Sequence, residues 1–150
     1  MNTFLNGIFP SPADNSIRGV KFATWLFIFI AIVSTVRSCI HLLAPDGGAG
    51  SIAGMDLSVA GASGIIFSFA LWGSAQLIYA FIQLAVAFRY RSLVPFMYLL
   101  LFLETCLRML VGHMKPVTFS HTPPGAYANY LILPLSLAML VLSLPRRTAS

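Results

Sequence analysis

"FIFIAIVSTVRSCIHLL", Phe27 to Leu43, decides the class of this protein, because an arginine and a histidine, Arg37 and His41, stand four residues apart inside a run that is otherwise apolar. A hydrocarbon layer takes about 20 apolar residues as one helix, and this run completes such a window at about 21–43. Three more windows follow, at about 60–88, 93–113 and 127–144, and together the four take up most of the 150 residues. With 58% hydrophobic and 9% charged residues and a mean hydropathy of +0.86, the chain has too few polar side chains to wrap a water-soluble globule. The loops are too short to hold a separate domain. The expected fold is therefore an all-α integral membrane protein, a single transmembrane domain over 1–150 built as a four-transmembrane-helix bundle without an internal repeat.

Orientation follows from the basic residues near the span ends. Arg18 and Lys21 precede the first span, Arg89 and Arg91 separate the second from the third, and Arg146 and Arg147 follow the fourth. All six fall on one side, whereas the opposite loops hold Lys115 with Asp46 and Asp56. The positive-inside rule then puts both termini in the cytoplasm and the Asp46 and His121 loops outside. This bias accounts for the net charge of +5, so it is no nucleic-acid footprint. No small-x-small cleavage site follows the first apolar run, and Arg37 in "VRSC" sits where a lipoprotein signal needs a small residue, so the first span is expected to be retained. The preceding "NGIFPSPADNS" reads as a surface lead-in, or as an interfacial helix resting Phe4, Leu5, Ile8 and Phe9 on the headgroups. Trp25, Tyr90, Tyr98, Tyr127 and Tyr130 are expected as interface anchors. Pro95 suits a first helical turn, while Pro134 falls inside the fourth span and should kink it.

The loop "APDGGAGSIAGMDLSVAGASG" is rich in glycine but lacks the lysine and Ser/Thr ending of a phosphate-binding loop, so it is read as a re-entrant or outer-surface turn. Its end leads into a small-xxx-small ridge of Ala60, Gly64 and Ser68. Such ridges let helix backbones touch; the first expectation is packing within the bundle, and the alternative is a homo-oligomer face.

Helix periodicity gathers the intramembrane polar residues. Arg37 and His41 share one stripe of the first span, Gln76, Tyr79 and Gln83 one of the second, and Glu104 and Arg108 one of the third; the fourth offers Asn129, Ser136 and Ser143. Arg37 and Arg108 both lie about 8 Å from the outer end at 1.5 Å per residue, with Glu104 and Gln76 somewhat deeper. A charge at the bilayer centre costs at least about 2.5 kcal/mol on insertion scales, so these side chains should converge inside the bundle. Two roles compete there. In the structural one, Glu104 and Arg108 pair along their helix, Arg37 is held by Glu104 or by carbonyls, and His41 snorkels outward. In the functional one, two arginines against one carboxylate leave an excess positive charge unless Asp46 or Asp56 folds back to cancel it. That pocket, with Arg37, His41, Gln76, Glu104 and Arg108 as ligand-binding residues, would welcome an anionic or quinone-like ligand or a lipid headgroup. Glu104 and His41 are also the groups that could pass protons.

Other chemistry finds little support. His41, His113 and His121 lack the spacing of a metal site, so no metal is expected. Cys39 and Cys106 form no C-x-x-C pair and read as small core residues, and no nucleophile elbow frames the serines. The "R-x-x-x-H-L-x-x-P" ending of the first span, the glycine-rich outer loop, the late arginine of the third span followed by "GHMKP", and a "PPG" turn resemble small four-helix bacterial membrane proteins of the DoxX-like kind. That resemblance spans most of the chain through Arg37, His41 and Arg108, implies a bacterial cytoplasmic membrane and an association with respiratory quinol oxidation, and brings no catalytic role. The expected function is non-enzymatic: an accessory subunit of a membrane redox complex, or a binder of a lipid, a quinone-like molecule or another anionic ligand, with quinone or bound lipid as the candidate cofactor. The rival readings are an oligomeric small transporter or channel, and a membrane enzyme using Glu104 or His41 as acid or base.

Overall fold

The boundaries of the helices follow from backbone chemistry at their ends. In a computed structural model, which describes residues 3–145, the chain forms α1 (Thr3–Ile8), α2 (Lys21–Leu43), α3 (Ala62–Arg89), a 3-10 turn (Arg91–Leu93), α4 (Val94–Met114) and α5 (Pro124–Ser143). No strand occurs among the described residues, and α2 to α5 are each long and apolar enough to cross a membrane. Arg146 and Arg147, on which the orientation partly rests, lie outside the described residues, as does the side chain of Phe4. The second long helix starts two residues later than its hydropathy suggests because Gly61 stands before it at φ +93°, a left-handed turn that no helix interior admits. The fourth starts three residues earlier, because Pro124 sits in its first turn and needs no hydrogen-bond partner there. It runs on through Pro134, which faces outward.

Two antiparallel pairs make the bundle: α2 packs along α3 and α4 along α5, with fewer contacts between the pairs. Small residues seven apart let the first pair close. Thr24, Ala31 and Ser38 are buried on α2, and Gly73, Ala80 and Ala87 on α3. At Gly73 the approach is so close that a Cβ would lie 2.7 Å from the His41 Cβ and 2.8 Å from the Leu42 nitrogen. This is the small-residue packing expected of a membrane bundle, but it corrects the sequence reading. Ala60 precedes α3, and Gly64 and Ser68 are exposed, with nothing within 4 Å of where a Gly64 Cβ would stand. Among the described residues, that ridge packs on no other helix.

The apolar core lies toward one end only. Ala23, Phe27 and Ile28 of α2, Val86 and Ala87 of α3, Val94, Met97, Tyr98 and Leu101 of α4, and Met139 and Leu140 of α5 form one cluster. All four helices thus meet near Arg18, Lys21, Arg89 and Arg91, here termed the basic end. Tyr98 is fully buried rather than an interface anchor: its hydroxyl donates to the Ala23 carbonyl at 2.7 Å and its ring meets Phe27 edge-on. Trp25, Tyr90, Tyr127 and Tyr130 are exposed. The exterior carries many large apolar side chains, among them Phe29, Phe67, Ile78, Leu107 and Leu131, a surface suited to hydrocarbon rather than water. Hydroxyls inside the spans donate back to their own helix, as Thr35 does to Ala31, Ser38 to Ser34 and Thr105 to Leu101, which satisfies them where no water is present.

The segment before α2 is folded beneath the basic end, not spread as a surface lead-in. Ile8 is buried, Phe9 stacks on Phe96 with centroids 4.9 Å apart, and Gly7 packs on Leu144 and Pro145. The Asp14 N–H donates to the Ser92 hydroxyl, while the Ser92 N–H and hydroxyl donate to the Asp14 carbonyl.

Candidate functional site

Away from the core the two helix pairs part, and a cavity of about 390 Å³ opens between all four long helices. Phe29, Ile30 and Val33 of α2, Leu101 of α4 and Ile132 of α5 make most of its wall apolar. Polar groups converge at the end nearer the glycine-rich loop. Arg37 Nη2 donates to Gln76 Oε1 at 3.3 Å, Gln76 Nε2 donates to Glu104 Oε1 at 3.3 Å, and Arg108 Nη1 reaches the same Oε1 at 3.2 Å. Arg108 Nη2 donates to the Thr105 hydroxyl, while Arg108 Nε is buried without a partner. The Arg37 guanidinium lies 5.1 Å from the centre of the Trp72 ring, within cation-π range. Arg37, Gln76, Glu104 and Arg108, gathered from three helices, all line the cavity.

His41 is the expected site residue that the structure places elsewhere. It does not line the cavity and does not snorkel outward; the side chain is 6% exposed. Its Nδ1 meets the Gly47 carbonyl oxygen at 2.8 Å, which requires the proton on Nδ1, and its ring packs on Trp72 and Phe69. Gly47 and Gly48, both at positive φ, let the loop backbone turn against that ring, and a Cβ on Gly48 would stand 3.0 Å from it. His41 therefore holds the loop and backs the tryptophan that Arg37 covers.

The charge arithmetic of the centre is left open by the loop carboxylates. Asp46 is engaged locally: the N–H groups of Ser51 and Gly48 donate to it and hold its pKa down to about 2. The Asp56 carboxylate takes the hydroxyl and N–H of Ser58, which lower its pKa. Neither folds back. Arg37 is also not held by Glu104 or by carbonyls; its hydrogen bond goes to a neutral amide. One arginine is paired with Glu104 and the other has no carboxylate partner.

Several lining residues extend the set that periodicity suggested. Trp72 stands one turn before Gln76 on the same face of α3, a spacing that could have marked it. Tyr79 and Gln83, already on the polar stripe that periodicity marked, continue that face deeper into the cavity. Pro124, Gly125, Ala128 and Asn129 bring in the first turns of α5, whose N-terminus has no side-chain cap. Cys39 and Cys106 are free thiols on separate helices. Neither a protein-family model nor any curated protein or solved structure matches this chain, so the DoxX-like resemblance rests on the residues that suggested it.

The arrangement is suited to holding an anion with an apolar body. Its hydrogen bonds are long for charge-assisted ones, which run at about 2.7 to 2.9 Å, so they would exchange for a ligand's oxygens at small loss. An unpartnered Arg108 Nε, an arginine without a carboxylate and the open N-terminus of α5 all favour negative charge at the same end of the cavity.

Proposed function

We propose that this protein binds an anionic amphiphile within the membrane, its charged head between Arg37 and Arg108 and its apolar body in the cavity beside Phe29, Val33, Leu101 and Ile132. The observation that carries this reading is the excess charge: two guanidiniums and one carboxylate bound one end of an otherwise apolar cavity, and Asp46 and Asp56 are engaged elsewhere. The role is non-enzymatic. Glu104 sets the position of Arg108 and, through Gln76, is linked to Arg37. The incoming head would displace Gln76 from Arg37 and take up the donors that the free state leaves unused.

The same proposal sets the protein in a bacterial cytoplasmic membrane with both termini inside, after the distribution of its basic residues. The arginine centre then sits in the outer half, about 8 Å below the outer end of the spans. An accessory role in a redox assembly, with a quinone-like ligand, has the DoxX-like resemblance behind it and no added support from the cavity's charge, since a neutral quinone does not need the second arginine.

Native mass spectrometry of protein extracted gently from its own membrane, wild type against Arg37→Gln, tests the binding. This substitution removes the excess charge yet keeps Glu104 and Arg108 paired, so no buried carboxylate is left uncompensated. A co-purifying anionic amphiphile that is lost from the folded variant is the expected result. Equal retention by both proteins, or no such molecule in either, overturns the proposal.

A further inference from the structure

The two helix pairs are joined at both ends, and the cavity between them opens on one flank. At the basic end the four-helix core fills the space between the pairs. At the other end the two connecting loops are tied together: the Ser120 N–H and hydroxyl both donate to the Gly54 carbonyl, at 2.9 and 3.0 Å. Between these ends the flank of α3 and α4 is bridged by the Gln76 hydrogen bond to Glu104. Among the described residues no hydrogen bond joins α2 to α5 at that level; the nearest link, from the Val20 N–H to the Leu142 carbonyl, lies at the basic end. Exposure marks the same flank. The exposed residues of the cavity lining are Phe29 and Val33 of α2, at 62% and 48%, and Pro124 and Gly125 of α5, whereas those of α3 and α4 are buried or half-buried. Phe29 lies about 12 Å along α2 from Arg37 at 1.5 Å per residue, well inside the span, so the opening faces hydrocarbon.

Size and shape then narrow the occupant. A volume of about 390 Å³ is near the lower end of the roughly 300 to 1,000 Å³ that encloses one drug-sized molecule. It takes one acyl chain and not a whole lipid. An acyl chain of one leaflet spans about 15 Å, half the hydrocarbon thickness, so its tip also has to leave by the open flank beside Phe29. We propose that the occupant is an anionic phospholipid of the leaflet nearer the glycine-rich loop, which enters sideways between α2 and α5. Its phosphate lies at Arg37 and Arg108, one acyl chain lies in the cavity, and the second stays in the bilayer against Phe29 and Val33. This rests on the anionic-amphiphile reading given above and adds to it the lipid class and the route. Net charge of the head decides among lipids, because a zwitterionic head brings its own ammonium to the phosphate and leaves the second arginine unanswered.

Trp72 lines the cavity and reports its occupancy. The chain has 2 tryptophans, and Trp25 is exposed at the basic end, so Trp25→Phe leaves Trp72 as the single fluorophore. The test places this full chain in phosphatidylcholine nanodiscs and reads Trp72 quenching by three probes brominated near the head end of one chain: phosphatidylglycerol, phosphatidylcholine and octadecanoate. Brominated phosphatidylglycerol is expected to quench at about one tenth of the mole fraction that brominated phosphatidylcholine needs, as one charge-assisted hydrogen bond would give. Arg37→Gln should bring those two mole fractions together. Gly125→Phe puts a ring on the α5 lip of the flank, where a Cβ meets open space, and should weaken phosphatidylglycerol more than octadecanoate. Equal quenching by the two phospholipids, with octadecanoate still quenching in a way that Arg37→Gln abolishes, overturns the phospholipid and leaves the arginine site standing. A phosphatidylglycerol advantage that Gly125→Phe leaves intact overturns the route. If neither phosphatidylglycerol nor octadecanoate responds to Arg37→Gln, the arginine site itself fails and both readings fall.

Discussion

The two ends of this bundle are built from the same four helices and do opposite things. At the basic end Phe27, Met97, Tyr98 and Leu140 fill the space between them, and the segment carrying Ile8 and Phe9 closes it from below. Toward the glycine-rich loop the helix pairs part, and the positions that would complete a core are held by Arg37, Gln76, Glu104 and Arg108. Packing supplies stability where side chains interdigitate; the parted end gives that up and keeps a polar, half-satisfied cavity. On the binding proposed above, the loosely packed end is the one that takes the ligand.

The strongest way to break this contrast is at the close approach of α2 and α3 at Gly73. Gly73→Leu should drive α2 from α3, because backbone as well as side chain lies under 3 Å from its new Cβ, and it should remove most folded protein from a size-exclusion profile. Next, Phe27→Ala at the packed end should cost about 3 kcal/mol of unfolding free energy by steric trapping, the range typical of a buried aromatic truncated to alanine. Val33→Ala in the cavity wall should cost under about 1 kcal/mol, since a half-exposed side chain leaves little new void. Similar losses at both positions would mean that the ends are packed alike. A smaller effect is expected from pH at the loop. Asp46 is depressed in the folded state to about 2 from an ordinary 3.8, so its contribution to loop order is present above the unfolded pKa and is lost as pH falls from about 4 toward 2. The protection factors of the Gly48 and Ser51 amides, exchange being referred to its intrinsic rate at each pH, should fall across that window and stay constant in Asp46→Asn. Smallest of all, Gly64→Leu should leave the protomer's stability and binding untouched, because its Cβ enters open space. Transport lost in that variant while binding persists would favour the oligomeric reading.

The four spans were plain in the hydropathy, because lipid demands long apolar helices and little else competes with that signal. The convergence of Arg37, Gln76, Glu104 and Arg108 was also readable, since burying a charge in a bilayer leaves few places for it. What periodicity could not weigh was which small residues pack. Gly73, Ala80 and Ala87 recur every seven residues as openly as Gly64 and Ser68 recur every four, and only the partner helix decides between them. His41 was misjudged for a related reason: a histidine near a span end has the same sequence signature whether it faces a ligand or clasps the carbonyl of Gly47. Tyr98 looked like an interfacial ring, yet its hydroxyl found the Ala23 carbonyl inside the bundle. Tyr79 and Gln83 were visible as a stripe, but that they line a cavity shared by all four long helices is a three-dimensional fact.

The strap of residues below the basic end bears on how the protein is assembled. Gly7, Phe9 and Asp14 leave the ribosome before α2 to α5 have formed, yet the groups they dock against, Leu144 and Pro145, Phe96, and Ser92, are translated later. Their seat exists only after the last helix has been inserted and threaded back beside the others. Residues made before the spans are thus among the last to settle, and a cysteine placed at Phe9 should stay open to a soluble thiol reagent until α5 is in place, making that position a clock for the seating of that helix.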